Sequence, residues 1–214
     1  FSNNFISNTK NVYNFGFSTS TYWIRFKVES KLEKNLLLEL AYPPIDNIEL
    51  YIPDNNNFSI EKSGDTLPFV DRKIKYRNFL FDLPIKDNYY YLKVNSESSI
   101  IIPLSILTER KFIEKERQEQ LILGLYYGIV FTILIYNLVL FLSLREKDYL
   151  FYVIYVFGYG LFQMSLNGFA YELIWNTSPL INSISIPFFA FIAIIGIINF
   201  TKVFLEIKKH SSKL

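Results

Sequence analysis

The sequence predicts a protein in two parts, a β sandwich followed by an all-α bundle of membrane-spanning helices. Three observations lead there. Charged residues are frequent as far as Gln120 and scarce from there through Phe200, so one half is patterned for water and the other for lipid. In the first half the apolar residues come in short runs separated by turn-forming clusters, the spacing of an all-β domain. In the second half three apolar segments each approach the ~20 residues needed to cross a ~30 Å hydrocarbon core.

The first half contains candidate strands over residues 21–29, 35–41, 47–52, 57–61, 76–81, 88–94 and 100–107. In the first of them Tyr22, Ile24, Phe26 and Val28 alternate with Trp23, Arg25 and Lys27, giving one apolar and one mixed face. The intervening clusters are Tyr42-Pro43-Pro44, Pro53-Asp54-Asn55-Asn56, Ser63-Gly64-Asp65 and Lys86-Asp87-Asn88. Each supplies a fixed φ, a positive φ or a side chain that bonds its own turn. Two packed sheets bury such strands economically.

Residues 110–120 (RKFIEKERQEQ) carry alternating charge, with Glu114 and Arg117, or Lys115 and Glu119, at helical spacing, and predict a short solvated connector helix. It runs without Gly or Pro into a first span over 121–144. A second span is expected at about 149–170 and a third at about 181–203. The link Arg145-Glu146-Lys147-Asp148 separates the first two and Asn176-Thr177-Ser178-Pro179 the last two; links this short favour antiparallel neighbours. The expected division is therefore a β domain over 1–108, a connector over 109–120 and a transmembrane domain over 121–214.

Basic residues set the orientation. Arg145 and Lys147 lie in the first loop and Lys202, Lys208, Lys209 and Lys213 at or after the end of the third span, whereas none lies between Leu150 and Ile181. The first loop and the C-terminus are expected inside and the β domain outside, although Arg110, Lys111, Lys115 and Arg117 flank the first span on its outer side. The chain starts at Phe1 without a Met or a basic leader ahead of an apolar stretch, which reads as a mature segment or piece of a longer protein.

Composition excludes several chemistries. The 214 residues carry a net charge of +2 and hold no Cys, so no large nucleic-acid surface, disulfide framework, thiolate nucleophile or Cys-based metal site is expected. His210 is the single histidine and stands in the Lys-rich tail, where a solvated side chain is expected and a His-dependent triad cannot be built. No phosphate-binding Gly loop, paired-carboxylate motif or metal-ligand spacing occurs, so no catalytic residue, metal or cofactor is assigned.

The remaining candidate sites are for binding and packing. In the β domain Trp23 is a core residue or a sugar-stacking platform, and Arg25, Asp65, Arg72 and Arg77 are ligand contacts or ion pairs. Gly124 and Gly128 form a small-residue pair on one helical face of the first span, suited to packing within the bundle or to a homodimer contact. Asn137, Gln163 and Asn167 stand at or near membrane depth and need partners there, predicting a polar seam. With no Asp, Glu, Lys or Arg inside the spans apart from Lys202 at the very end of the third, an ion-coupled transporter has little support. Tyr149, Tyr171 and Trp175 fall at span ends as interfacial anchors do.

Several of these residues succeed one another in a recognisable order: Tyr22-Trp23-Ile24-Arg25-Phe26, Gly64-Asp65-Thr66-Leu67-Pro68-Phe69 with Arg72, Tyr90-Tyr91-Leu92-Lys93-Val94 and Ile102-Pro103-Leu104. The second half continues with Gly124-Leu125-Tyr126-Tyr127-Gly128, Tyr136-Asn137, the loop from Arg145 to Tyr149, and Asn167-Gly168 ahead of Trp175. This succession, over nearly the whole chain, resembles the bacterial seven-transmembrane receptors with diverse intracellular signalling modules. The resemblance implies a jelly-roll-like domain, similar to carbohydrate-binding modules, which senses a small ligand outside the bacterial inner membrane and sits on a multi-pass transducer. It implies histidine kinase, diguanylate cyclase, phosphatase or adenylate cyclase outputs in the cytoplasm. Three of the seven spans are expected in this chain, and any enzyme activity would reside in an output module beyond it. Trp23, Arg25, Asp65 and Arg72 are the proposed ligand residues, the lipid bilayer and a small ligand such as a carbohydrate the expected partners. The competing expectation is a carbohydrate-binding or adhesion module merely anchored to the membrane, which needs no more than one span.

Overall fold

The structure, a computed structural model, describes residues 5–6, 12–29, 36–54, 57–86 and 88–205. The Asn55–Asn56 part of one expected turn, Asp87 of another, and the tail with Lys208, Lys209, His210 and Lys213 lie outside the described residues. Among the described residues eight strands form two antiparallel sheets: β1 (Val12–Phe17), β2 (Tyr22–Lys27), β3 (Leu36–Leu40), β4 (Asn47–Asp54), β5 (Asn57–Ser63), β6 (Phe79–Leu83), β7 (Tyr89–Asn95) and β8 (Ser99–Thr108). Their orders are β1-β8-β3-β6 and β2-β7-β4-β5, the strand order of a jelly roll. One core lies between the sheets. Leu38, Leu40, Phe79, Phe81, Ile100 and Ile102 enter it from the first sheet, and Ile48, Leu50, Tyr90, Leu92 and Val94 from the second, all at 1% exposure or less. Each such side chain contributes about 1.5–3 kcal/mol of burial.

Two strand expectations need correction. β1 went unforeseen because Asn14 and Gly16 interrupt its apolar alternation; the structure accommodates them with a bulge against β8, where the Gly16 amide bonds Asn14 Oδ1 at 3.0 Å. The strand expected over 76–81 instead starts at Phe79 and runs to Leu83. Tyr76 is drawn out of the ladder by a T-shaped contact with Phe112, 5.0 Å between ring centres.

Helix α1 (Glu109–Leu144) is continuous, followed by α2 (Lys147–Leu166), the short α3 (Phe169–Leu173) and α4 (Pro179–Phe204). The chain separates into two compact units, one of residues 1–115 with 167–183 and one of residues 116–166 with 184–214. In the first unit the opening turns of α1 are not simply solvated. Phe112 packs with Tyr76 and Leu80, and Lys115 bonds Glu39 at 2.6 Å. Glu39 is fully buried and also accepts from Asn78 Nδ2 at 2.9 Å and Ser105 Oγ at 3.3 Å, so its charge is paired and solvated by the protein itself. The structure also pairs Arg110 with Glu114 at 3.1 Å on this helix, a pair other than the two the spacing suggested.

The same unit holds the connection between α2 and α4, and here the boundaries differ from expectation. Helix α2 stops at Leu166, because Gly168 turns the chain with φ +76°, a conformation costly for any residue with a Cβ. A Cβ there would also come within 2.9 Å of the Arg77 carbonyl oxygen and 3.0 Å of Pro43. Tyr171, expected as an interfacial anchor, is instead buried against the sandwich. Its hydroxyl donates to the Leu67 carbonyl at 2.6 Å and its ring meets Phe69 edge-on at 5.9 Å. The Val70 amide bonds the Asn176 carbonyl at 3.4 Å, and Trp175 Nε1 bonds Asn182 Oδ1 at the same distance.

In the second unit α2 and α4 approach closely at small residues. A Cβ on Gly158 would lie 2.8 Å from the Ala193 nitrogen, and one on Gly196 would lie 2.5 Å from the Tyr155 nitrogen. Among the described residues three helices, α1, α2 and α4, are long and apolar enough to cross a membrane. Arg145 closes α1 in the left-handed region at φ 60°, its amide returning to the Phe141 carbonyl at 2.8 Å.

Candidate functional site

The outward face of the β2-β7-β4-β5 sheet is the most distinctive surface of the sandwich. Register and two-residue alternation decide what lies on it: Trp23 stands opposite Lys93, Lys93 opposite Glu49, and Glu49 opposite Lys62. One step along, Arg25, Tyr91, Tyr51 and Ile60 form the next row. The inward neighbours Ile24, Leu92 and Leu50 hold these rows rigid from beneath.

The rings on this face are contiguous. Trp23 tilts against Tyr51 at 5.3 Å, Tyr51 meets Phe58 at 6.3 Å, and Phe58 meets Tyr91 at 5.6 Å. Phe5 continues the strip at 6.2 Å from Tyr91. Trp23, Phe58 and Ile60 are nearly half exposed, an unusual apolar outlay for a sheet face in water. The rings meet tilted or edge-on, at 43°, 75° and 83° in turn, so they present a ridged apolar surface that suits ligands with apolar faces of their own, as pyranose rings have.

Charge is arranged around the strip. The Arg25 guanidinium lies 4.7 Å from the Phe5 ring centre and 4.8 Å from that of Tyr89. Lys93 bonds Glu49 at 3.2 Å and sits 6.0 Å from the Trp23 ring, while Lys62 approaches Glu49 at 3.7 Å. The Tyr51 hydroxyl donates to Glu49 at 2.8 Å. That bond, assisted by Lys93 and Lys62 against a smaller desolvation effect, holds the Glu49 carboxyl below its usual range, and the same bond raises the Tyr51 phenol.

Asp65 and Arg72 occupy a different place. Both are buried, at 7% and 9% exposure, and near enough to interact electrostatically with each other and with Tyr171 of α3. Arg72 Nη1 donates to the carbonyls of Tyr76 at 3.0 Å and Arg77 at 3.3 Å, and the guanidinium lies within 6 Å of the Phe79, Phe69 and Tyr171 rings. Its Nε has no acceptor among the described residues. Burial lowers the Arg72 pKa to about 10, so it stays charged at neutral pH. Burial first, and the nearby Asp46 carboxylate second, push Asp65 up to about 7, with Arg72 opposing. Gly64 makes this closeness feasible, since a Cβ there would collide with the Asp46 carbonyl. Trp23 and Arg25 thus share one surface, and Asp65 and Arg72 brace a loop. Arg77 is also buried, stacked on Tyr76 and Phe169. Tyr51, Phe58, Tyr91 and Lys93 were missed as site residues; strand alternation against Trp23 is the signal that would have found them.

The transmembrane candidates are placed as follows. Gly124 and Gly128 open onto unoccupied space beside Leu125, Ile129 and Thr132. Asn137 bonds the Ile133 carbonyl of its own helix at 2.8 Å, and Gln163 bonds Tyr159 on its own helix at 3.2 Å. Asn167 lies beyond α2, in the turn that leads to α3.

A jelly roll with an exposed aromatic face, followed by helices of membrane length, defines a multi-pass membrane protein with a folded domain outside the bilayer. A family model described as 7TMR-DISM extracellular 2 matches residues 1–108, and one described as 7TM diverse intracellular signalling matches residues 119–214. The chain belongs to the seven-transmembrane receptors with diverse intracellular signalling modules, and is a membrane receptor whose N-terminal sensor domain is extracellular. No curated protein matches it.

Proposed function

We propose that residues 1–108 sense a carbohydrate on the outward face of the β2-β7-β4-β5 sheet, and that residues 109–120 and the spans in 121–214 relay occupancy to a cytoplasmic output module. The observation that carries this reading is the unbroken ring strip from Trp23 to Tyr91 on an open, rigidly backed sheet face. The setting proposed is a bacterial inner membrane, and the output a histidine kinase or diguanylate cyclase. Catalysis belongs to that module and not to this chain.

Two attachments suit the sandwich to relay its state. The start of α1 is fixed through Phe112 and the Glu39–Lys115 pair, and the α2–α4 connection is fixed through Tyr171 and Val70. Arg72 lies between them, bonded to the Tyr76 carbonyl behind Phe112 and stacked on Tyr171. A ligand that prefers one arrangement by ~1–3 kcal/mol shifts the populations appreciably. Insertion of one to four residues near Gln118 in the full-length receptor tests the α1 route, where output should vary with helical phase. Output indifferent to every insertion rules that route out.

A further inference from the structure

The charges on the aromatic face narrow the ligand class, on the reading that this face is the sensing surface. On the outward positions of β2, β7, β4 and β5 the cations are Arg25, Lys27, Lys62 and Lys93, and the acid is Glu49. Glu49 is already committed, since Lys93, Lys62 and the Tyr51 hydroxyl all converge on it. Among the described residues no carboxylate pairs with Arg25. Its guanidinium is instead held between the Phe5 and Tyr89 rings, which leaves the N–H edge free to meet an acceptor from solvent. A guanidinium stacked in this way keeps a planar donor fork matched to carboxylate, sulfate or phosphate oxygens.

We propose that the ligand is an acidic saccharide, whose rings stack on the Trp23–Tyr51–Phe58–Tyr91 strip while an anionic substituent pairs with Arg25. A neutral sugar would satisfy the rings and leave the Arg25 guanidinium without an anion. An anion without a sugar ring would leave the strip wet. Neither feature alone explains the other, and an acidic saccharide answers both.

The test uses the whole chain in lipid nanodiscs and two matched pairs of fluorescent tetrasaccharides. One pair is linear galacturonate and its methyl ester, the other sulfated galactose and its neutral parent, so that each pair differs in charge and the two pairs differ in the anionic group. The acid member of at least one pair should bind about tenfold or more tighter than its neutral partner at low salt, with the gap closing in high salt. Arg25→Gln should erase the gap between acid and neutral partner, and Arg25→Lys should restore part of it. Unchanged thermal unfolding of each variant shows that the domain is intact. Equal binding within both pairs, lost in Trp23→Ala, overturns the acidic class and keeps the face as a saccharide site. Absence of binding by all four, or binding indifferent to Trp23→Ala, overturns both.

Discussion

Asp65 shows how one buried side chain sets a pH dependence. Its folded-state pKa stands at about 7 against an ordinary 3.8, so between those values the folded protein binds a proton that the unfolded chain has released. Stability from this group is therefore full below the ordinary value and falls as pH rises towards 7. Asp65→Asn should flatten that slope and raise stability above pH 7 by on the order of 1–3 kcal/mol, measured by thermal unfolding in detergent at pH 4.5 and pH 8. Arg72→Ala should act oppositely, destabilising by about 3 kcal/mol, because two carbonyls lose a charged donor and three rings lose their packing partner. Asp65 and Arg72 stood out in the sequence only as charged residues near a turn. Nothing in their spacing told a bracing role from a binding one, since that depends on a contact with Tyr171 far along the chain.

At the scale of elements, the α3 dock and the α2–α4 crossing both depend on glycine. Gly168→Ala should destabilise by about 1–3 kcal/mol, through an unfavourable φ and a forced shift against Arg77 and Pro43. Gly196→Val should cost as much or more, because the backbone of α2 lies where the new side chain must go, and thermal unfolding in detergent reads both. Elements with a strong period were legible beforehand. Strand β2 alternates cleanly, and the three apolar segments are long and apolar enough to span a membrane. The failures were elements whose fate is tertiary. β1 is broken by Asn14 and Gly16, Tyr76 leaves its strand for Phe112, and residues 167–178 look like a span end until Tyr171 finds the Leu67 carbonyl. The face carrying Trp23 and Arg25 was half legible, since alternation named the residues of one strand and only the register named their neighbours.

At the scale of the whole molecule, membrane topology follows from the extracellular sensor and the first span, and the cysteine-free sequence makes it simple to read. A cysteine placed at exposed Glu97 should react with a membrane-impermeant maleimide on intact cells. One placed at Glu146 should react only after permeabilisation, and the reverse pattern would invert the assignment. The docking of Tyr171 onto the sandwich also has a consequence for biogenesis. The ribosome releases the strands first, yet the surface around Leu67 and Phe69 waits for a partner that emerges only after two hydrophobic segments have been made. At ~5–20 residues per second that interval lasts several seconds. During it the young domain stands translocated with an apolar patch uncovered, which makes it a natural client for a chaperone on the extracellular side until the loop arrives.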